Sequence, residues 1–240
     1  MSDFRGLVLT NTIYKESDVI MNVLTDDGKI SVKAKGVLKP NSKNRIFTEV
    51  GCYSLFHTID KMSQNIYTLM NAERVKRYSN IENDLLRKAI YDCLLEVFNK
   101  IEYPFEEAIA YVEYLNSCEN PYCLYASFLC DIMKKSGICL MVDACVNCLD
   151  TKGIIGLSIL DGGFVCKDCF NPNIHVKLSV DDLKNIRYCM HATISNYPIL
   201  EDNTSITFEL IQYLIAVLRN YGEISIRSHE FIEITSHLID

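Results

Sequence analysis

GLVLTNTIYKESDVIMNVLTDDGKISVKAKGVLKPNSKNR, Gly6 to Arg45, is the stretch whose reading decides the fold. Three runs within it, GLVLTNTIY (6–14), DVIMNVLT (18–25) and KISVKAKG (29–36), are short and rich in branched apolar residues, with turn-forming residues between them. That is the pattern of β-strands. Asp27-Gly28 marks a hairpin between the second run and the third. In the third, Ile30, Val32 and Ala34 alternate with Ser31, Lys33 and Lys35. A strand turns that apolar set inward and the two lysines outward on one face. Further on, EVGCYSLFHTI (49–59) and QNIYTLMNAERV (64–75) add two more strands. Five short strands suit a small barrel better than a sandwich, which needs about seven.

Near Ser79 the period changes. Ser79 followed by Glu82 reads as a capping box, and Leu86, Ile90, Cys93, Val97 and Ile101 then recur at helical spacing. Pro104 interrupts, and residues 105–118 and 122–137 read as two further helices, the second stopped by Gly137. Residues 138–177 are irregular and glycine-punctuated. Helical periodicity resumes after a Ser179 cap, with Asp182 three residues on, and continues from Thr204 through Tyr221 and weakly to the C-terminus. The expected fold class is α+β, an N-terminal barrel over 1–79 followed by a helical domain over 80–140 and 178–240, with an irregular insert over 141–177.

That insert carries Cys145, Cys148, Cys166 and Cys169 as C-x2-C-x17-C-x2-C. Each pair fits a tight turn that aims both sulfurs at one point, and IIGLSILDGGFV offers a hairpin with Asp161-Gly162-Gly163 as its turn. Two such knuckles supply four thiolates in the tetrahedral geometry that suits zinc. Four protein ligands leave no open position, so the expectation is one structural Zn2+ and no catalysis at the metal. The plainer alternative is ordinary buried thiols or one redox pair. The other seven of the eleven cysteines read as small core residues or thiols without a partner at ligand spacing.

The charge of the opening stretch is anomalous. Residues 28–48 hold +6 without one Asp or Glu, in a chain of 240 residues whose formal net charge is -7, which leaves -13 for the remainder. Lys29, Lys33 and Lys35 lie on the third strand, and Lys39, Lys43 and Arg45 on the loop after Gly36, among Pro40, Asn41, Ser42 and Asn44. A cationic strand beside a cationic loop follows a nucleic-acid backbone, and Asn and Ser add neutral hydrogen bonds to phosphate. Arg74, Lys76 and Arg77 form a second cluster at the end of the last strand. Tyr14, Phe47, Tyr53, Phe56 and Tyr67 are candidates for base stacking, though most fit the barrel core equally well. A solvated lysine face is the bland reading of the same residues; the acidic remainder favours contact with a polyanion.

Catalytic constellations are scarce. There is no Walker-type phosphate loop, no metal-binding His-Glu motif and no G-x-S-x-G, and His57, His175, His191, His229 and His237 fall on different elements. Nothing recommends an enzyme. Hydrophobic content of 49% with 23% charged residues is ordinary for a globular chain. No run approaches the ~18 apolar residues of a membrane span, and MSDFRGLVLT lacks a secretory pattern. The expectation is a soluble cytoplasmic protein with no membrane partner.

With these parts in order, the chain resembles the RecO family of bacterial DNA repair proteins. The resemblance rests on Gly6-Leu7-Val8-Leu9, on Tyr14-Lys15-Glu16-Ser17-Asp18, on Gly28-Lys29-Ile30 through Ala34-Lys35-Gly36, and on the four spaced cysteines. It implies an oligonucleotide-binding (OB) barrel, then a helical domain interrupted by a zinc knuckle. It also implies a nucleoid-associated recombination mediator that binds single- and double-stranded DNA and anneals complementary strands. The implied partners are RecR, RecA indirectly, and the acidic C-terminal tail of single-strand-binding protein. The segment TNTIYK carries only Lys15, and YGEISIRSHEFIEIT sets Arg227 and His229 against Glu223, Glu230 and Glu233, so the DNA-binding burden falls on the N-terminal patch. The rival reading from the residues is a zinc-stabilised protein–protein adaptor whose basic loop docks an acidic partner; a zinc enzyme is the second rival.

Overall fold

The hairpin read at Asp27-Gly28 closes at Gly28. In the computed structural model, which describes residues 2–60 and 66–239, strands β1 (Ser2–Tyr14), β2 (Asp18–Thr25) and β3 (Gly28–Ala34) follow one another along the chain. Asp26 and Asp27 turn without a positive φ, and Gly28 supplies it at +93°, the form of hairpin in which a glycine bulge completes the turn. Strands β4 (Tyr53–Asp60) and β5 (Ile66–Lys76) complete the set. The expected fifth strand began at Gln64, and Gln64 and Asn65 lie outside the described residues.

The five strands form a closed barrel in the order β1-β2-β3-β5-β4. Neighbours are antiparallel except β3 and β5, which run parallel with Lys33 opposite Thr68. Closure depends on β1, whose Ser2–Leu7 half pairs with β4 and whose Leu7–Tyr14 half pairs with β2. A register shift between Val8 and Thr10 bends the strand between these two pairings, as a bulge does. Gly6 sits at the bend, where a Cβ would meet Val23 Cγ1 at 2.3 Å. The alternation read in KISVKAKG holds: Val32 and Ala34 are buried with Met21, Val23 and Phe56, Lys33 is half-buried, and Lys35 is exposed just past the strand.

The helices that follow correct one expectation. A capping box at Ser79 and Glu82 does not form. A short helix α1 (Ser79–Asn83) stops at Asp84, whose extended backbone and side chain cap α2 (Leu85–Lys100) by accepting from the Arg87 N–H at 2.9 Å. Glu82 is instead held by Arg77 at 2.7 Å, so an ion pair takes the carboxylate the box requires. Helix α3 (Phe105–Ser117) follows Pro104.

Helix α4 (Pro121–Lys135) has Pro at its first turn and an Asn120 cap, and Gly137 (φ +74°) ends it, with the Ile138 N–H on the Met133 carbonyl at 2.8 Å. The insert then forms a three-stranded sheet of β6 (Ile154–Ser158), β7 (Gly163–Cys166) and β8 (His175–Lys177), ordered β7-β6-β8. Helix α5 (Val180–His191) starts at the expected cap, where Ser179 Oγ accepts from the Asp182 N–H at 3.0 Å. Helices α6 (Tyr197–Asn203), α7 (Phe208–Asn220) and α8 (His229–Ile239) complete the chain. The helix expected from Thr204 begins at Phe208, because Thr207 accepts from the Leu210 N–H and caps it there.

The architecture is thus a five-stranded barrel followed by helices, with a small cysteine-bearing sheet between α4 and α5. Two packing units result: residues 1–116 with 226–240, and residues 117–225. In the first, α2 packs on α8 and on β1. This grouping runs along a different line from the segments 1–79, 80–140 with 178–240, and 141–177, because α2 buries its apolar face between the barrel and the C-terminal helix. In the second, α4 is buried on nearly all sides and packs against α5, α6 and α7. No described helix is long and apolar enough to cross a membrane.

Candidate nucleic-acid interface and metal centre

The six cations of the opening stretch meet different fates. Lys29 Nζ donates to the carbonyls of Asn99 (3.1 Å) and Ile101 (2.9 Å) and lies 3.4 Å from Glu102. It satisfies the open carbonyls at the C-terminal end of α2, where the helix dipole favours positive charge. Lys33 pairs with Asp18 at 3.3 Å and lies 4.4 Å from the ring centre of Tyr14. The Asp18 carboxyl is held below its ordinary range, chiefly by the Gly36 N–H, with burial opposing and Lys33 assisting.

Lys35, Lys39, Lys43 and Arg45 are exposed, and among the described residues none of them forms an ion pair. The loop that carries them is more firmly rooted than its composition suggests. Gly36 N–H bonds Asp18, Leu38 N–H donates to the Ser17 carbonyl at 3.0 Å, and Val37 is buried in the barrel core. Farther along, Asn44 Nδ2 donates to the Met70 carbonyl on β5 at 3.1 Å, and Asn11 Nδ2 to that of Thr48 at 2.7 Å. The result is a cationic strap laid beside β5, with its lysines outward.

The second cluster is paired, its three cations sharing two carboxylates. Arg74 lies 3.8 Å and Arg77 2.7 Å from Glu82, and Lys76 lies 2.9 Å from Glu113. The Arg77 guanidinium holds the Glu82 carboxyl below its ordinary value and is itself pushed up in return. The three cations line a cavity of about 250 Å³ with Tyr78, Tyr91 and Glu82. Sequence reading gives Glu82, five residues from Arg77, to a helix cap, and it misses Glu113 on α3, 37 residues from Lys76.

The aromatic candidates also separate. Phe56 and Tyr53 are buried, Tyr53 edge-on to Phe105, while Phe47 and Tyr67 pack against the barrel core. Tyr14 remains 41% exposed. The histidines stay on separate elements: His57 lies 3.0 Å from Asp3, His191 lies 3.2 Å from Asp143, and His175 Nδ1 accepts from the Asn171 N–H. The His237 side chain lies outside what the structure describes.

The four spaced cysteines converge. The sulfurs of Cys145, Cys148, Cys166 and Cys169 all lie within 4.8 Å of one another, with Cys148 and Cys166 at 3.6 Å. A tetrahedral site with Zn–S near 2.3 Å separates its sulfurs by about 3.8 Å. Two tight turns bring this about. Cys145 N–H bonds the Asp150 carbonyl and Leu149 N–H bonds that of Cys145, with Leu149 at φ +64°. Cys169 N–H donates to the Cys166 carbonyl at 3.2 Å, and β7 delivers Cys166 opposite Ile154. The hairpin turns where expected, with Gly162 at φ +65° and Ser158 Oγ donating to Asp161 at 2.7 Å.

Burial resists ionisation of Cys145, but the backbone N–H groups of Cys166, Cys148 and Asn147 outweigh it and hold the thiol down to about 6. Its neighbour Cys169 is pushed up to about 12, first by its bond with Cys148. Crowded sulfurs with backbone N–H donors beside them could hold a cation, which would let all four ionise together. The donor set fits a metal ion. Cys52, Cys93, Cys118, Cys123, Cys130 and Cys189 are buried, with Cys189 hydrogen-bonded to Cys130, and Cys139 is exposed.

Fold and site together define an OB-type barrel protein with a cationic strap and a separate four-cysteine centre that could hold a metal ion. Residues 1–78 match the family model described as recombination protein O N terminal. The chain is 27% identical over 245 residues to the DNA repair protein RecO of Halalkalibacterium halodurans, covering 95% of this chain and 92% of that protein. It is 24% identical over 240 residues to RecO of Bacillus subtilis, at 95% and 92% coverage. To RecO of Acetivibrio thermocellus it is 26% identical over 216 residues, covering 85% of each. The match to the recombination protein O model is confined to the barrel, and the chain is similar to proteins named DNA repair protein RecO over most of its length.

Proposed function

We propose that the protein is a non-enzymatic DNA-binding mediator of recombinational repair. The similarity to proteins named DNA repair protein RecO supports the repair role. The observation that carries DNA binding is the set Lys35, Lys39, Lys43 and Arg45, exposed and without ion pairs among the described residues on a strap rooted in an OB-type barrel. In a chain of net charge -7, that strap concentrates positive charge where phosphates can be neutralised with little base preference. Both single- and double-stranded DNA offer the phosphates it needs. Annealing follows when two strands are held with their charge screened and their bases free to pair.

In this reading RecR, RecA and the tail of single-strand-binding protein are the partners with which the protein loads RecA onto coated DNA in the cytoplasm. The helical segments supply partner surface. One structural zinc is held by Cys145, Cys148, Cys166 and Cys169, and the N–H groups around Cys145 keep its sulfur as a thiolate for the metal.

Binding of fluorescent oligo-dT across a salt series tests the reading. About four engaged phosphates give a log–log slope near -3 for single strands. Annealing of complementary oligonucleotides, bare and coated with single-strand-binding protein, then tests mediation. A protein that binds neither single- nor double-stranded DNA is not a mediator of this kind.

A further inference from the structure

Asp18 joins an exposed aromatic ring to the root of the cationic strap. Tyr14 ends β1 and faces Asp18 across the turn Lys15-Glu16-Ser17. Lys33 Nζ, anchored on Asp18 at 3.3 Å, lies 4.4 Å from the Tyr14 ring centre, and Lys15 Nζ lies 5.4 Å from it. The same Asp18 carboxylate accepts from the Gly36 N–H at 2.9 Å, where the strap begins. Ring and strap therefore share one anchor.

Of the five aromatic candidates in the barrel, Tyr14 alone is not packed into it: Phe56 is 0% exposed and Tyr14 41%. Its position at the β1–β2 turn, beside the β2–β3 face, is where OB barrels receive oligonucleotides. An aromatic ring there stacks on any base, because every base presents a π-face, and the cation beside it strengthens ring contacts. Lys33 has its charge matched by Asp18, so it orients the ring and leaves the phosphates to the strap.

We propose that Tyr14 is the stacking platform for one nucleobase of single-stranded DNA, held in place by Lys33 and Asp18. This rests on the DNA-binding reading above and adds to it a contact with bases that phosphate neutralisation does not need.

The chain has no tryptophan, so Tyr14→Trp creates a lone emission probe at the platform. Its emission should quench on addition of oligo-dT, with a midpoint matching that from anisotropy of labelled oligo-dT. Tyr14→Ser should weaken oligo-dT binding by about 5-fold or more, with unchanged salt slope and melting temperature, whereas Tyr14→Phe should bind as wild type does. Wild-type affinity in Tyr14→Ser, or unquenched Tyr14→Trp emission while anisotropy reports binding, overturns the platform and leaves the strap standing. Absence of oligo-dT binding by the wild-type protein overturns both readings.

Discussion

The Asp18 carboxylate accepts a hydrogen bond from the backbone N–H of Gly36 at 2.9 Å, tying the start of β2 to the second residue after β3. The bond fixes where the cationic strap leaves the barrel. Asp18→Ala removes it, and the Gly36 amide should then exchange with solvent faster than in wild type by hydrogen-exchange mass spectrometry. Asp18→Asn keeps an acceptor but releases Lys33, so strap protection should persist while the salt slope of DNA binding steepens by about 0.7. The Asp18 pKa is depressed, so its contribution is present at neutral pH and is lost as pH falls below the ordinary carboxylate range. Unchanged Gly36 exchange in Asp18→Ala would refute the anchor.

Glu96 does the same for the C-terminal helix. It accepts from the N–H groups of Arg227 at 2.9 Å and Ser228 at 2.7 Å, at the start of α8, and pairs with Lys100. Burial opposes its ionisation, yet these donors hold its pKa down to about 2. A carboxyl whose folded pKa lies below the unfolded one stabilises above the unfolded value and loses that as pH falls through the folded value. Glu96 should therefore contribute fully above about 4.5 and lose its contribution toward about 2. Glu96→Ala should cost about 1–2 kcal/mol in urea unfolding at pH 7 and much less near pH 2. An equal cost at both pH values would contradict the assignment.

The paired cluster at the end of β5 makes a different prediction from the strap. Substituting Arg74, Lys76 and Arg77 together by Ala should flatten the salt slope of DNA binding by less than three free cations would, because Glu82 and Glu113 already match two of the three charges. Glu82→Gln should steepen the slope by up to about 1.4 by freeing the two arginines. Lys35→Glu with Lys39→Glu should flatten it by at least as much. Slopes measured from 50 to 300 mM salt on these three variants, a range on the order of the usual titration, separate the two surfaces.

The cysteine centre is tested by metal analysis. Purified protein should carry one zinc per chain, released by chelator together with unfolding of residues 117–225. Cys145→Ser or Cys166→Ser should lower metal content and destabilise that unit while oligo-dT affinity stays within about 2-fold, since the strap belongs to the other packing unit. Full metal content in both variants would rule out the four-sulfur site.

Much of this was legible along the chain because the signals were local. Alternation in KISVKAKG and a glycine at the hairpin depend on neighbours within a few residues. The C-x2-C pairs likewise encode their own turns, and a hairpin needs no distant element to bring them together. The change of period at Ser79 coincides with the start of α1, but the cap differs for a local reason: Ser-x-x-Glu fits a capping box, yet Arg77 takes the glutamate and Asp84 caps α2.

By itself, then, the sequence determined the strands, the order of parts, the four-sulfur spacing and the concentration of positive charge, all properties of short segments. Only the tertiary structure decided which charges are available. Lys29 is taken by the end of α2, seventy or more residues away, Arg74 and Arg77 by Glu82, and Lys76 by Glu113. It likewise decided that Tyr14 faces outward while Phe56 fills the core. Charge and aromaticity are written residue by residue, whereas their neutralisation and burial depend on elements that meet only when the barrel closes and the helices pack on it.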